Sequence, residues 1–412
     1  MSTPSSRAET AAQAQARRVP TLHARRDLKM ARDAHAYVRG STQRFYEWLA
    51  MTQSPSIPQG PRVWICGDAH VGNLGPIARS DAGIEVELRD LDQTVPGNPA
   101  HDLIRLALSL AMAARSSDLP GVVTARLVEE LMSGYLEAFT HPENTVPATD
   151  SAAVRFVVRE ALRRKWRHLQ RERIGKKPKF PLGDRFLALV EEEREAVESF
   201  LNKERVRQLV TSLDCRADDA QIRVLDAAYW VKGCSSLGLW RCAALIDVVG
   251  RQGQGGYSLL DIKEAVTAVA PAGHHEQLPT HQGERVVHGT KALSPTLGAR
   301  MLSGTIAGYS VFVRELMPQD LKLELEMMDD IEARSTARAL ARIVGLAHAR
   351  QLDDADRKRW KRELEGANTR NIEAPTWLWS SVVELIGIHE RAYLEHCRRY
   401  ALASEKLREQ LV

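Results

Sequence analysis

Three acid-bearing loops follow one another between Cys66 and Leu103, and each is tied to an apolar element. The first is Cys66-Gly67-Asp68-Ala69-His70-Val71-Gly72-Asn73, a carboxylate followed five residues later by an amide. The second is the paired acidic turn Arg89-Asp90-Leu91-Asp92, and the third is Pro99-Ala100-His101-Asp102-Leu103. Val63 to Cys66 reads as a buried strand that delivers Asp68 to a loop. Ile84 to Leu88 alternates as a second strand and delivers Asp90. Asp102 opens a strongly apolar helix over Leu103 to Ala113, and a second helix is expected over Val122 to Phe139.

This set of side chains suits metal-dependent phosphoryl transfer. In that chemistry one carboxylate orients an attacking hydroxyl, and an amide with a second carboxylate holds the cations that neutralise the phosphates. Asp68 and His70 are the catalytic candidates, although His70 reads more readily as an orienting or loop-packing residue than as a base. Asn73, Asp90 and Asp92 are the metal candidates. Asp92 reads either as a ligand or as a solvated turn acid.

The rest of the chain sets the frame. At 412 residues with 44% apolar content there is room for two or three core-forming units. A net charge of +4 is too small to argue for nucleic acid. The five cysteines are scattered without metal-ligand spacing, which reads as reduced thiols. No apolar run approaches the roughly 20 residues that cross a bilayer, so no membrane partner and a cytoplasmic location are expected. Residues 1–20 are rich in Ser, Ala, Thr and Gln and are expected to be a disordered tail.

Residues 21–224 read as mainly helical, 225–318 as a sheet-rich unit and 319–412 as helical again. Leu239 to Val248, Tyr257 to Lys263 and Ser310 to Leu316 read as strands, and Gln282 to Leu293 as a helix. The basic run from Arg163 to Lys179 reads as a solvated helix face or as a surface for a polyanionic substrate. It has little aromatic interleaving, so a nucleic-acid platform is not expected.

The acidic segment resembles the catalytic and metal-binding stretch of aminoglycoside and choline phosphotransferases, which have the protein-kinase-like fold. Their pattern is roughly G-D-x-H-x-x-N, then I-D-F/W-x-x-A, then D-P-x-x-D-L. By that resemblance Asp68 is the catalytic base, Asn73 and Asp90 are metal ligands, and Asp102 is a buried acid supporting the loop. Arg39 would contact substrate or phosphate, or else pair near Asp102. The chain as a whole also resembles the bacterial DUF2252 family. The residues carrying that likeness are Lys29-Met30, Tyr37-Val38-Arg39-Gly40, the acidic segment, Gln282 to Val287 and Ala347-His348-Ala349-Arg350. It implies no settled substrate.

The kinase resemblance implies a nucleotide site further along. Lys232-Gly233-Cys234-Ser235-Ser236-Leu237-Gly238 fits a glycine-rich hairpin, with Gly233, Ser235, Ser236 and Gly238 near phosphate. Lys263 ends the next strand and would contact the phosphates, with Glu284 as its expected partner. Glu315 and Leu316 would form a hinge whose backbone meets adenine. These parts precede the catalytic loop in kinases and follow it here. The expectation is therefore an α+β, protein-kinase-like two-lobed fold, circularly permuted, with a helical large lobe and a small antiparallel-sheet lobe.

The function this implies is an ATP- and Mg2+-dependent phosphotransferase acting on a hydroxyl of a small molecule or protein. A pseudokinase-type nucleotide-binding regulator is the non-enzyme alternative. A metallophosphoesterase is a weaker one, because no Gly-Asn-His or Gly-His-x-His string supplies further ligands.

Overall fold

The computed structural model describes residues 8–410 apart from 52–56, 82, 118, 141, 143–150, 175–176, 213–215, 218, 250–254, 272–277, 322–328 and 367–374. Cys215 and Lys176 therefore lie outside the described residues. The element order is α1 (Ala11–Met30), α2 (Ala34–Gly40), α3 (Thr42–Met51), β1 (Val63–Ile65), β2 (Leu74–Ala78), β3 (Ile84–Leu88), β4 (Val95–Gly97), α4 (Pro99–Ser116), α5 (Gly121–Thr140), α6 (Ala152–Arg163) and α7 (Trp166–Arg173). It continues through β5 (Phe186–Leu187), α8 (Glu191–Leu201), α9 (Glu204–Thr211), β6 (Gln221–Trp230), β7 (Arg241–Val249) and β8 (Gly255–Glu264). The remainder is α10 (Gln282–Leu293), α11 (Pro295–Gly298), β9 (Met301–Ile306), β10 (Tyr309–Leu316), α12 (Asp330–Ala349), α13 (Asp354–Gly366) and α14 (Thr376–Gln410). The fold is thus α+β with antiparallel sheets.

One six-stranded sheet has the order β5-β6-β7-β8-β10-β9, every neighbouring pair antiparallel. Alternation along its strands splits it into two faces. Tyr229, Cys242, Ala244, Ile246, Leu260, Ile262 and Val313 pack under α1, α8 and α9 through Leu22, Val197, Phe200 and Val206. Trp230, Ala243, Leu245, Leu259 and Leu316 point the other way, against Leu169, Ile174 and Phe180 from α7 and the loop after it. The sheet unit thus draws in α1, α8 and α9 from the stretch expected to be a helical lobe.

The helical core is formed by segments from both ends of the chain. Leu103, Leu106 and Leu110 of α4, Leu127 and Leu131 of α5, and Leu340, Val344 and Ala347 of α12 share one buried cluster. Cys66, Ala69, Val71 and Leu91 from the acidic loops belong to that cluster too. The loops are therefore anchored in the helical core and face the sheet.

The expected disordered tail over residues 1–20 is corrected for its described part. A helix starts at Ala11, where Thr10 and Gln13 form a reciprocal capping box. Arg18 pairs with the fully buried Glu193 of α8 at 2.6 Å, and Trp240 Nε1 donates to the same carboxylate. Low hydropathy misled the reading because this helix docks largely through polar contacts. Among the described residues no helix is long and apolar enough to cross a membrane.

Candidate active site at the acidic loops

One face of α4 supports the first acidic loop. Asp102, Arg105 and Ser109 recur at helical spacing and lie on one side. Asp102 accepts the backbone N–H of Cys66 (2.7 Å) and of Gly67 (3.0 Å). Arg105 Nε donates to Asp68 Oδ1 at 2.9 Å, and Ser109 Oγ accepts the Val71 N–H at 3.3 Å. Behind Asp102 runs a buried chain in which His348 meets Asp102 at 3.1 Å, Tyr135 meets His348 at 3.0 Å, and Trp360 donates to the Tyr135 hydroxyl. Gly67 has φ +75°, and a Cβ there would lie 2.3 Å from the Gln93 carbonyl oxygen. Only glycine fits so close an approach in that backbone region.

Asp68 is almost wholly buried. Burial pushes its carboxyl above the ordinary range, while the Arg105 guanidinium opposes the rise. His70 Nε2 stands 4.0 Å from Asp68 Oδ2, and its buried Nδ1 has no partner. Burial, with Arg39 and Arg105 nearby, drives its pKa well below the usual value, so the imidazole is neutral. Arg39 does not reach Asp102. Its guanidinium lies over Gly72, where a Cβ would sit 2.9 Å away.

Asn73 ties the first loop to the second. Its amide nitrogen donates to the carbonyls of Asp68 (2.9 Å) and Asp90 (3.3 Å). With the nitrogen so used, Oδ1 is the side-chain atom left to accept a cation. Among the described residues no group of three or more His, Cys, Asp or Glu side chains is arranged to hold a metal. A cation at Asp90 would complete its shell from Asn73, water and phosphate oxygens, which suits magnesium.

Lys263 comes from the far end of β8 and meets the second loop. Its buried ammonium lies 3.4 Å from Asp90 Oδ1 and contacts Asp92 Oδ2 more closely still. The Asp90 side chain is 55% exposed and opens into the cleft. Burial raises its pKa, but the charges of Lys263, Arg314 and Arg241 act together with Asp92 to hold it well below the carboxylate range. Asp92 is the reverse: burial and the Asp90 charge push it up to about 7. Its Oδ1 is buried without a partner. Asp92 therefore acts here as a counter-ion to Lys263.

Three expectations need correction. Glu284 is not the acid on Lys263. It is exposed in the first turn of α10, where a carboxylate favours the positive helix end. The neighbouring Arg285 turns inward instead and donates to the carbonyls of Asp92, Thr94 and Val266. Glu315 does not offer a free hinge backbone. Its N–H donates to the Arg300 carbonyl and its own carbonyl accepts from Arg300 Nη1. Its buried side chain is held by Arg216 and Ser258. Leu316 is buried in the sheet opposite Leu259. Lastly, the glycine hairpin is docked on α1. Lys29 donates to the Gly233 carbonyl (2.8 Å) and Gln15 to that of Gly238 (2.7 Å). Ser235 is exposed and Ser236 packs against Gly233. None of these four residues lines the cleft around Lys263.

That cleft is lined by Arg89, Asp90, Arg241, Asp261, Lys263, Phe312 and Arg314, among others. The sequence reading missed Arg105, Arg241 and Asp261. The spacing of Asp102, Arg105 and Ser109 was the available signal for the first. Charges at alternate positions of otherwise apolar strands were the signal for the others.

A family model described as an uncharacterised protein conserved in bacteria, DUF2252, matches residues 18–399. The chain belongs to the DUF2252 family. No curated protein and no solved structure matches it. For this DUF2252 member the comparisons give no support to the expected likeness to aminoglycoside and choline phosphotransferases.

Proposed function

We propose that this protein is a kinase-like, ATP- and magnesium-dependent transferase that acts on a hydroxyl group, built on a circularly permuted two-lobed fold. The observation that carries the reading is the contact of Lys263 with Asp90 and Asp92, which precede it by 173 and 171 positions. Two segments in inverted order thus meet at one cleft. The order within the sheet supports the reading too. Lys263 lies on the third strand of the β6-β7-β8 meander and a helix follows, as the phosphate-binding lysine does in kinases.

The chemistry follows from the geometry. Asp68, with its raised pKa, is a carboxylate suited to take the proton of an attacking hydroxyl. Arg105 keeps it oriented and ionisable. Asn73 and Asp90 are the groups that would hold magnesium, which would neutralise charge developing on the phosphates. Lys263 would exchange its two carboxylate partners for phosphate oxygens when nucleotide enters. Neutral His70 packs beside Asp68.

Two measurements test this. Millimolar magnesium-ATP should raise the melting temperature: saturation at 100 times Kd stabilises by about 2.7 kcal/mol, or about 3 °C for a chain of this length. Asp68→Asn should keep that shift and abolish ATP turnover, whereas Asp90→Asn should lose the shift. No shift in the wild type, or equal unfolding of both variants, would remove the support for the transferase reading.

A further inference from the structure

The sheet face beside the acidic loops has three successive cross-strand rows. Arg241, Lys263 and Phe312 form the first, nearest Asp90. Ala243, Asp261 and Arg314 form the second, and Leu245, Leu259 and Leu316 the third. Successive rows lie about 6.6 Å apart along the strands. The third row is covered by Leu169, Ile174 and Phe180, so the chain's own side chains fill the apolar end of the face.

Around the second row the charge is unbalanced, because Arg241 of the first row and Lys232 join Arg314 at one acid. Asp261 is 2% exposed, and three cations converge on it. Arg241 donates to it through Nε and Nη2 at 2.8 and 2.5 Å, Arg314 lies at 3.3 Å and Lys232 at 3.6 Å. Arg89 lines the same cleft, is nine-tenths buried, and its Nε has no partner. Beside the row, the Trp230 ring gathers Lys232 at 4.0 Å, Arg241 at 5.2 Å and Arg173 at 5.6 Å. Burial, with Arg241, Arg314 and Arg173, pushes the Lys232 ammonium well below its usual range against the pull of Asp261. Buried surplus charge of one sign is costly unless an ion of the other sign completes it. A purine placed here would meet charge where it needs an apolar roof. A phosphate chain would meet its complement.

We propose that this chamber holds the terminal phosphates of the nucleotide, which enters the cleft tail-first, and that the group transferred is the nucleotidyl group. This rests on the transferase reading above and specifies which phosphate reacts. With the β- and γ-phosphates among Arg241, Arg314 and Lys232, the α-phosphate lies at Asp68 and Asp90. The acceptor oxygen forms a bond to the α-phosphorus. The bond from that phosphorus to the oxygen bridging to the β-phosphate breaks, and its electron pair leaves with pyrophosphate. The acceptor proton goes to Asp68. The chamber's cations stabilise charge on the departing pyrophosphate.

The test uses the full chain with magnesium. Inorganic tripolyphosphate should raise the melting temperature and compete with ATP, while adenosine should do neither. ATP labelled on its α-phosphate, with water as acceptor, should give AMP and pyrophosphate. Arg314→Gln should weaken tripolyphosphate binding at least tenfold, and Lys232→Gln, on the more exposed side of the cluster, is the second variant if the first does not fold. ADP as the product, with adenosine competing and tripolyphosphate inert, would overturn tail-first binding and leave the transferase reading intact. Binding of neither ATP nor tripolyphosphate would overturn both.

Discussion

Lys263→Met is the perturbation whose size the geometry defines best. The lysine side chain is 5% exposed and Asp92 is 21% exposed, so this pair is largely out of water. Asp90 is half open to solvent and adds little. Removing one partner of a buried pair leaves an uncompensated charge and costs about 3–5 kcal/mol. For 412 residues the entropy of unfolding is about 0.9 kcal/mol/K, so the melting temperature should fall by about 3–6 °C. Asp92→Asn in the Lys263→Met background should recover part of the loss, because it neutralises the acid left behind. The coupling in that double-mutant cycle should be about 1–3 kcal/mol. Urea titration of the four proteins measures it. A loss under about 1 kcal/mol with no coupling would mean that Lys263 snorkels to water, and the convergence of the two segments would lose its energetic basis.

The other expected outcomes concern the loop and the core. Arg105→Met should destabilise by about 3–5 kcal/mol in urea titration, since it strands buried Asp68, and adding Asp68→Asn should restore much of it. Gly67→Ala should cost at least about 2 kcal/mol, because the residue must hold φ +75° with its Cβ against the Gln93 carbonyl. His35 and His101 have pKa values lowered to about 4 and His389 to about 3, in each case first by burial. These histidines take up protons more readily unfolded, so stability should be fully present above pH 6.5 and fall as pH drops toward 4. Each contributes up to about 1.4 kcal/mol per pH unit in that window, readable from melting curves between pH 8 and 4.5.

The parts legible in the sequence were those whose periodicity is local. Ile84–Leu88 and Gln282–Leu293 have the predicted bounds because alternation and helical spacing mark them. Leu74–Ala78 was hidden because its Gly75 and Pro76 look like a turn, although it pairs along its length with Ile84–Leu88. Met301–Ile306 was hidden because it follows a short helical turn with no loop signal. The helix at Ala11 carries Pro20 and a polar surface, and only its capping box betrayed it. Asp68, Asn73, Asp90 and Asp102 could be picked out because their spacing is tied to one loop. The partner of Lys263 could not, since rotating one helix by a single residue exchanges Glu284 for Arg285 at the inner face. Asp261 and its three cations were concealed for a related reason. Alternation reveals which face a residue occupies, but a charge on the inner face is normally excluded by its cost.

The central claim is that Lys263 and the acidic loops serve one metal-nucleotide. A crystal structure with manganese and a non-hydrolysable ATP analogue tests it directly. The account predicts an anomalous manganese peak at about 2.0–2.2 Å from a carboxylate oxygen of Asp90, with Asn73 Oδ1 in its shell and Lys263 turned from Asp92 onto phosphate oxygens. A nucleotide bound elsewhere, with Lys263 still on Asp92 and no manganese at Asp90, would contradict it.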